Sequence, residues 1–216
     1  VNKFLYMGST CTYPKQILQS MKEKNLLTGS PEPTNEPYAV AKIAGLKMCE
    51  SYNRQYGTSY RTIIPTNLYG IHDNFHPGNS HVIPGMKRRI HEAKLADLPE
   101  VEIWGIGLPK REFLFVDDLV EGCLFLLDYD KDYSPVNIGS QEEVSIRELA
   151  IMMNEVVGYK GRLAFDTSKP DGMHLTKVDT SKMDAYGWKA RTHLRKGLQK
   201  VYCWFLTNNI SKNNKS

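Results

Sequence analysis

Tyr38 and Lys42 stand four residues apart, so on a helix their side chains share one face. A phenol with a free pKa of about 10 needs help to exchange a proton near neutral pH. A neighbouring ammonium gives that help by favouring the phenolate. Ser9, in the turn just upstream, could add a hydrogen bond to a substrate carbonyl oxygen. Such a set would move a proton to or from an oxygen atom. The same spacing also describes a surface tyrosine packed beneath a lysine stem. Cys11, two residues after Ser9, also fits a small buried apolar side chain. A second group, Lys87, Arg88, Arg89, His91 and Lys94, could meet a phosphate-bearing ligand, although charge alone favours a solvated helix face.

The elements around these residues follow from local pattern. Residues 3–7 are an apolar run stopped by Gly8-Ser9, which predicts a buried strand leading into a loop. Ala39, Ile43, Leu46 and Cys49 recur at helical spacing, with Pro37 suited to a first turn and Gly57 to a stop. Residues 61–64 read as the next strand, ended by Pro65. Strand, helix, strand in that order predicts a crossover within a parallel sheet. Further strands are predicted at 101–104, 112–116, 136–138 and 162–165. Asp117 is expected to cap a helix through Leu127. Ser145 and Glu148 form a capping box opening a helix to about Val157, with Gly158 closing it. A short helix at 181–186 and a terminal one at 194–206 complete the pattern, which is that of an α/β protein. No glycine-rich phosphate loop of the dinucleotide-binding type follows any of these strands, although a doubly wound fold places one after its first strand.

In order, the segments 8–14 (GSTCTYP), 64–70 (IPTNLYG), 111–118 (REFLFVDD) and 137–139 (NIG) resemble the extended short-chain dehydrogenase/reductase family of sugar-nucleotide enzymes. Within it, 32–39 (EPTNEPYA) and 72–84 (HDNFHPGNSHVIP) look like the GDP-L-fucose synthase family, and the likeness runs from about Phe4 to Leu206. The resemblance implies the C-terminal part of a doubly wound, Rossmann-type parallel sheet plus a smaller α/β substrate-binding domain. The expected catalytic domain is 1–75 with 113–139, the substrate domain 76–112 with 140–210, and 211–216 a disordered tail.

The activity implied is epimerisation of a GDP-4-keto-6-deoxymannose at C3 and C5, then NADPH-dependent reduction at C4. By the same resemblance, Tyr38 would protonate the C4 oxygen, Lys42 would assist it and hold the nicotinamide ribose, and Ser9 would orient the carbonyl. Cys11 and His81 would be the acid–base pair of epimerisation, a thiolate or imidazole being able to move such protons near neutral pH. Met7, Gly8, Ser9, Thr10, Lys42, Pro65, Thr66, Asn67, Leu68 and His81 would meet NADPH/NADP. Arg89, Trp104, Arg111 and Asp171 would meet the GDP-sugar, arginine suiting a diphosphate through paired charge-assisted hydrogen bonds. Trp104 at a strand end fits core packing equally well. After Asp171 this chain reads Gly-Met-His-Leu-Thr-Lys where the family carries a more basic run, which puts that loop's role in question. The chain also begins several elements after the expected phosphate loop, which implies an N-terminally truncated sequence that binds NADPH poorly and is inactive on its own.

Bulk properties narrow the field. With 41% hydrophobic and 24% charged residues, the chain has the makeup of a globular protein rather than a disordered one. A formal charge of +4, partly from the tail lysines, gives no nucleic-acid arm. No apolar run approaches the ~20 residues of a membrane span. The four cysteines form no CxxC or other metal-ligand pair, so no metal is expected, and a reducing cytoplasmic setting fits best. A homodimer is expected of the full-length family member. The alternatives are a 4,6-dehydratase or 4-epimerase of the same fold, or a non-catalytic GDP-sugar-binding fragment. A dehydratase would carry an acid pair where this chain has Ser9-Thr10-Cys11.

Overall fold

The structure is a computed structural model describing residues 1, 3–17, 20–169 and 175–213, with the side chains of 175, 176 and 209–213 excepted. The first elements in chain order are β1 (Lys3–Met7), α1 (Glu36–Tyr56), β2 (Ser59–Pro65), β3 (Asn67–Tyr69), α2 (Val82–Leu95), β4 (Glu100–Trp104) and β5 (Lys110–Phe115). Then come α3 (Val116–Asp128), β6 (Val136–Ile138), β7 (Glu143–Ser145), α4 (Ile146–Val157), β8 (Arg162–Asp166), β9 (Leu175–Thr176), α5 (Ser181–Tyr186) and α6 (Leu194–Asn213). Two compact units are assembled from alternating pieces of chain. The first holds Val1–Leu68, Glu112–Gln141 and Leu175–Arg191; the second holds Tyr69–Arg111, Glu142–His174 and Thr192–Ser216.

In the first unit β1, β2 and β6 form a parallel sheet in the order β1-β2-β6, with Met7 opposite Ile63 and Pro65 opposite Ile138. Helix α1 makes the connection from β1 to β2. Pro37 stands in its first turn, and Gly57, at φ +63°, caps its end by donating to the Asn53 carbonyl at 3.0 Å. Successive strand residues point to opposite faces. Ile63 accordingly packs with Leu114, Leu119, Leu126, Val136, Ile138, Met183 and Trp188, while Ile64 packs with Tyr13, Met21, Leu46 and Val178. Burial on both faces at this point explains why the consecutive residues Ile63 and Ile64 are both apolar. Each fully buried Ile or Leu contributes ~1.5–3 kcal/mol.

The expected second domain, 140–210, is interrupted, because Leu175–Arg191 belongs to the first unit. β9 pairs with β5, the Val178 N–H donates to buried Glu112 at 3.0 Å, and Asn137 donates to the Asp179 carbonyl at 3.1 Å. These bonds satisfy buried polar groups that the segment would otherwise strand. Asp117 does not cap α3. It lies in the first turn beside Asp118, with Phe115 at the N-cap position, since β5 runs directly into the helix. Both carboxylates still suit the positive end of the helix.

In the second unit β4 and β8 pair in parallel, Trp104 opposite Asp166. The core is drawn from Ile83, Met86 and Ile90 of α2, Leu149 and Met153 of α4, and Leu198, Val201 and Phe205 of α6. Ser145 and Glu148 make the capping box of α4, and Gly158 closes it in the left-handed conformation. The solvated-face expectation fails at Lys87, which is 0% exposed and packs into this core, and Arg89 is only partly exposed. Helix α6 continues to Asn213, so 211–213 are helical rather than part of a tail. No helix among the described residues is long and apolar enough to cross a membrane, and none of their His, Cys, Asp and Glu side chains cluster to hold a metal ion.

Candidate active site

The chain leaves β1 through Gly8, whose N–H donates to the Ile63 carbonyl at 2.7 Å. A Cβ there would lie 3.0 Å from that oxygen and 3.2 Å from Ile64 Cγ1, so glycine permits the close exit over β2. Ser9 is the N-cap of a single 3-10 turn, Thr10–Thr12, and its Oγ accepts the Cys11 N–H at 3.3 Å. The Thr12 hydroxyl closes the turn by donating to the Ser9 carbonyl at 2.7 Å. Cys11 is therefore held on a pinned turn and is partly exposed, not a buried apolar filler.

The next residue but one anchors this loop in the core. Tyr13, 2% exposed, donates its hydroxyl to Asn137 Oδ1 at 2.6 Å. Asn137, 0% exposed, spends its Nδ2 protons on the carbonyls of Met21 at 2.8 Å and Asp179 at 3.1 Å. Burial, reinforced by Glu23, pushes the Tyr13 phenol well above its usual range, so it remains a donor.

Helix α1 brings Tyr38 and Lys42 to the same end of β1. Lys42 Nζ donates to the Met7 carbonyl at 2.8 Å and lies 5.4 Å from the Tyr6 ring and 5.6 Å from the Tyr38 ring. Tyr38 is 47% exposed, which leaves its hydroxyl open to a ligand. Ahead of the helix, Asn35 directs its Nδ2–H onto Cys11 Sγ at 2.9 Å.

The strand exit after β2 is equally tied. Thr66 Oγ1 and Asn67 Nδ2 each donate to the Glu112 carbonyl at 3.0 Å, and the Thr66 N–H donates to the Ile138 carbonyl at 3.1 Å. The Glu112 carboxylate, 0% exposed, accepts the Gln141 N–H at 2.7 Å and the Val178 N–H, and burial raises its pKa. A Cβ on Gly139 would collide with that carboxylate, which accounts for the glycine. Ligands of open α/β sheets sit at the carboxyl ends of the strands. Ser9, Thr10, Lys42 and Asn67 are partly exposed at those ends, a polar rim that fits a dinucleotide.

The second unit contains a cavity of about 740 Å³ lined by His81, Arg89, Glu102, Trp104 and Arg111 among others. His81 is the N-cap of α2, yet its ring makes no capping bond and is exposed. The Arg89 guanidinium lies 5.2 Å from the Trp104 ring, and its buried Nε has no hydrogen-bond partner among the described residues. Burial lowers the Arg89 pKa, with Glu102 opposing the effect. Trp104 is 55% exposed, so the core role is excluded, and its Nε1–H donates to Glu102 at 2.8 Å. A desolvated guanidinium with a spare donor beside an exposed indole can hold a phosphate and a planar base.

The model of the NAD dependent epimerase/dehydratase family matches residues 1–139. The chain is 51% identical to the GDP-L-fucose synthase of Escherichia coli K12 over 217 residues, covering 96% of this chain and 68% of that protein. The chain belongs to this family, among the GDP-L-fucose synthases. It is likewise 51% identical to the probable GDP-L-fucose synthase 1 of Oryza sativa, covering 98% of this chain and 64% of the other. A solved GDP-L-fucose synthetase from Naegleria fowleri bound to NADP superposes with a TM-score of 0.90 at 28% identity, covering 98% of this chain and 68% of that one. The chain thus spans about two thirds of the length of these family members.

The first unit gathers Ser9, Cys11, Tyr38 and Lys42, and the second unit's cavity gathers His81, Arg89, Trp104 and Arg111. Asp171 lies outside the described residues. Sequence reasoning assigned nothing to Asn35, Glu112 or Asn137. The polar Glu112 and Asn137 inside otherwise apolar strands were the available signal, because such groups need buried partners.

Proposed function

We propose that this chain serves the conversion of GDP-4-keto-6-deoxy-D-mannose to GDP-L-fucose, by epimerisation at C3 and C5 and NADPH-dependent reduction at C4. The observation that carries the reading is the placement of Ser9, Cys11, Tyr38 and Lys42 together at the carboxyl end of β1. The chemistry NADPH supplies when bound is a hydride for C4. Tyr38 donates a proton to the C4 oxygen, Ser9 orients that oxygen, and Lys42, beside the Tyr38 ring, would hold the nicotinamide ribose. Met7–Thr10 and Pro65–Leu68 form the cofactor-facing rim. Cys11 and His81 exchange protons at C3 and C5, where the neighbouring ketone makes the hydrogens acidic. Arg89, Trp104, Arg111 and Asp171 hold the GDP-sugar. In this reading the first unit is the catalytic, cofactor-binding domain and the second is the substrate domain. The enzyme is a cytoplasmic homodimer: free cysteines suit a reducing compartment, and exposed apolar side chains of α1 such as Val40 and Met48 suit a second copy.

The test is Cys11→Ser in the enzyme, which keeps the side-chain shape but replaces an ionisable thiol by a hydroxyl that scarcely ionises. Deuterium uptake at C3 and C5 from heavy water should fall by ~10²-fold or more. Exchange at the wild-type rate would remove Cys11 from the reaction.

A further inference from the structure

We infer that Asn35 is a positioning residue for Cys11, its carboxamide N–H holding the sulfur as a hydrogen-bond acceptor. The inference rests on the reading of Cys11 as an epimerisation base. Asn35 occupies the N-cap of α1, a position where asparagine ordinarily accepts a hydrogen bond from a backbone N–H of the first turn. Here the side chain makes no capping bond, and its Nδ2–H points at Cys11 Sγ, 2.9 Å away. The contact spans 24 residues of sequence and joins two independently fixed pieces. Cys11 is held by its N–H to Ser9 Oγ, and the Asn35 backbone is held by its N–H to the Glu32 carbonyl at 2.9 Å. The sulfur also lies at the N-terminal end of a 21-residue helix, where partial positive charge favours an electron-rich atom.

An N–H donated to sulfur is strongest when the sulfur is a thiolate, which is also the form that takes a proton from carbon. In that step the substrate C–H bond breaks, its electron pair passes into the enolate of the C4 ketone, and the proton ends on sulfur. The return step reverses this on the other face or through another acid. Holding the sulfur by one N–H leaves its other lone pairs for the substrate.

Asn35→Asp separates this role from helix capping. Aspartate caps a helix as well as asparagine, but its carboxylate is acceptor-only and cannot donate to sulfur. Alkylation of Cys11 by iodoacetamide at pH 7.5, followed by peptide mass spectrometry with exposed Cys203 as internal reference, reads the contact directly. Both Asn35→Asp and Asn35→Ala should slow Cys11 by about tenfold relative to Cys203, in line with loss of a hydrogen bond to a charged acceptor. In the enzyme, the ratio of deuterium exchange to C4 reduction should fall similarly. If Asn35→Asp alkylates at the wild-type rate while Asn35→Ala is slow, the residue is a helix cap and the inference is wrong. Equal slowing of Cys203 would also overturn it, by showing a general disturbance. Alkylation reports the Asn35–Cys11 contact whether or not Cys11 is the base, whereas Cys11→Ser exchange tests the base alone.

Discussion

Replacing Lys87 by methionine should stabilise the protein, and by an amount that depends on pH. Lys87 is 0% exposed on α2. Its Nζ lies 4.0 Å from the centre of the Phe75 ring and 5.1 Å from that of Phe205, and its bond to the Val201 carbonyl is long, 3.4 Å. Two ring faces and one distant oxygen replace water poorly, so desolvation brings the amine from 10.5 down to about 7, with Asp73 opposing only in part. In the unfolded chain the amine keeps its ordinary value. Between about pH 7 and 10.5 the unfolded state therefore binds more protons, and stability rises with pH across that window. At ~1.4 kcal/mol per pH unit, the charge costs ~5 kcal/mol below pH 7 and ~1 kcal/mol near pH 10. Whole domains are stable by only ~5–15 kcal/mol, so the cost is large. Methionine keeps the unbranched stem and puts a polarisable sulfur against the rings. Urea unfolding of wild type and Lys87→Met at pH 6, 8 and 10 should give a variant more stable by ~4–5 kcal/mol at pH 6 and by ~1 kcal/mol at pH 10. His91 and Tyr202 nearby owe their shifts to burial and to other neighbours, so they cancel in the difference. A difference that is flat with pH, or a variant less stable at pH 6, would refute the electrostatic argument and leave Lys87 as an ordinary packing stem.

Two further outcomes follow from the first unit. Tyr38→Phe in the enzyme should lower the rate of C4 reduction ~10²–10⁴-fold with the fold intact, since only the hydroxyl is lost; a drop below about threefold in single-turnover NADPH oxidation takes Tyr38 out of the proton transfer. Asn137→Ala strands the Tyr13 hydroxyl and the carbonyls of Met21 and Asp179, so urea unfolding should show a loss of ~3–5 kcal/mol, and a loss under ~1 kcal/mol would mean that water replaces the amide.

What the sequence determined by itself was what depends on near neighbours. The ends of α1 and α4 could be read because Pro37, Gly57, Ser145, Glu148 and Gly158 act within one turn of backbone. The parallel pairing of β1 with β2 followed from the order strand, helix, strand. The chemical candidates Ser9, Cys11, Tyr38 and Lys42 were visible because two short segments hold all of them, Ser9 with Cys11 and Tyr38 with Lys42. Tertiary structure decided the rest. Lys87 reads as one more charge in a basic group, and only the arrival of Phe75 and Phe205 on either side of it removes its water. Residues 175–191 return to the first unit because Glu112 and Asn137 offer partners 66 and 42 residues distant. Asn35 stands at the N-cap of α1, and its side chain is turned to Cys11, 24 residues away. A capping signal concerns bonds made within a turn or so of the chain, whereas burial and long-range hydrogen bonds depend on which surfaces the rest of the chain brings alongside.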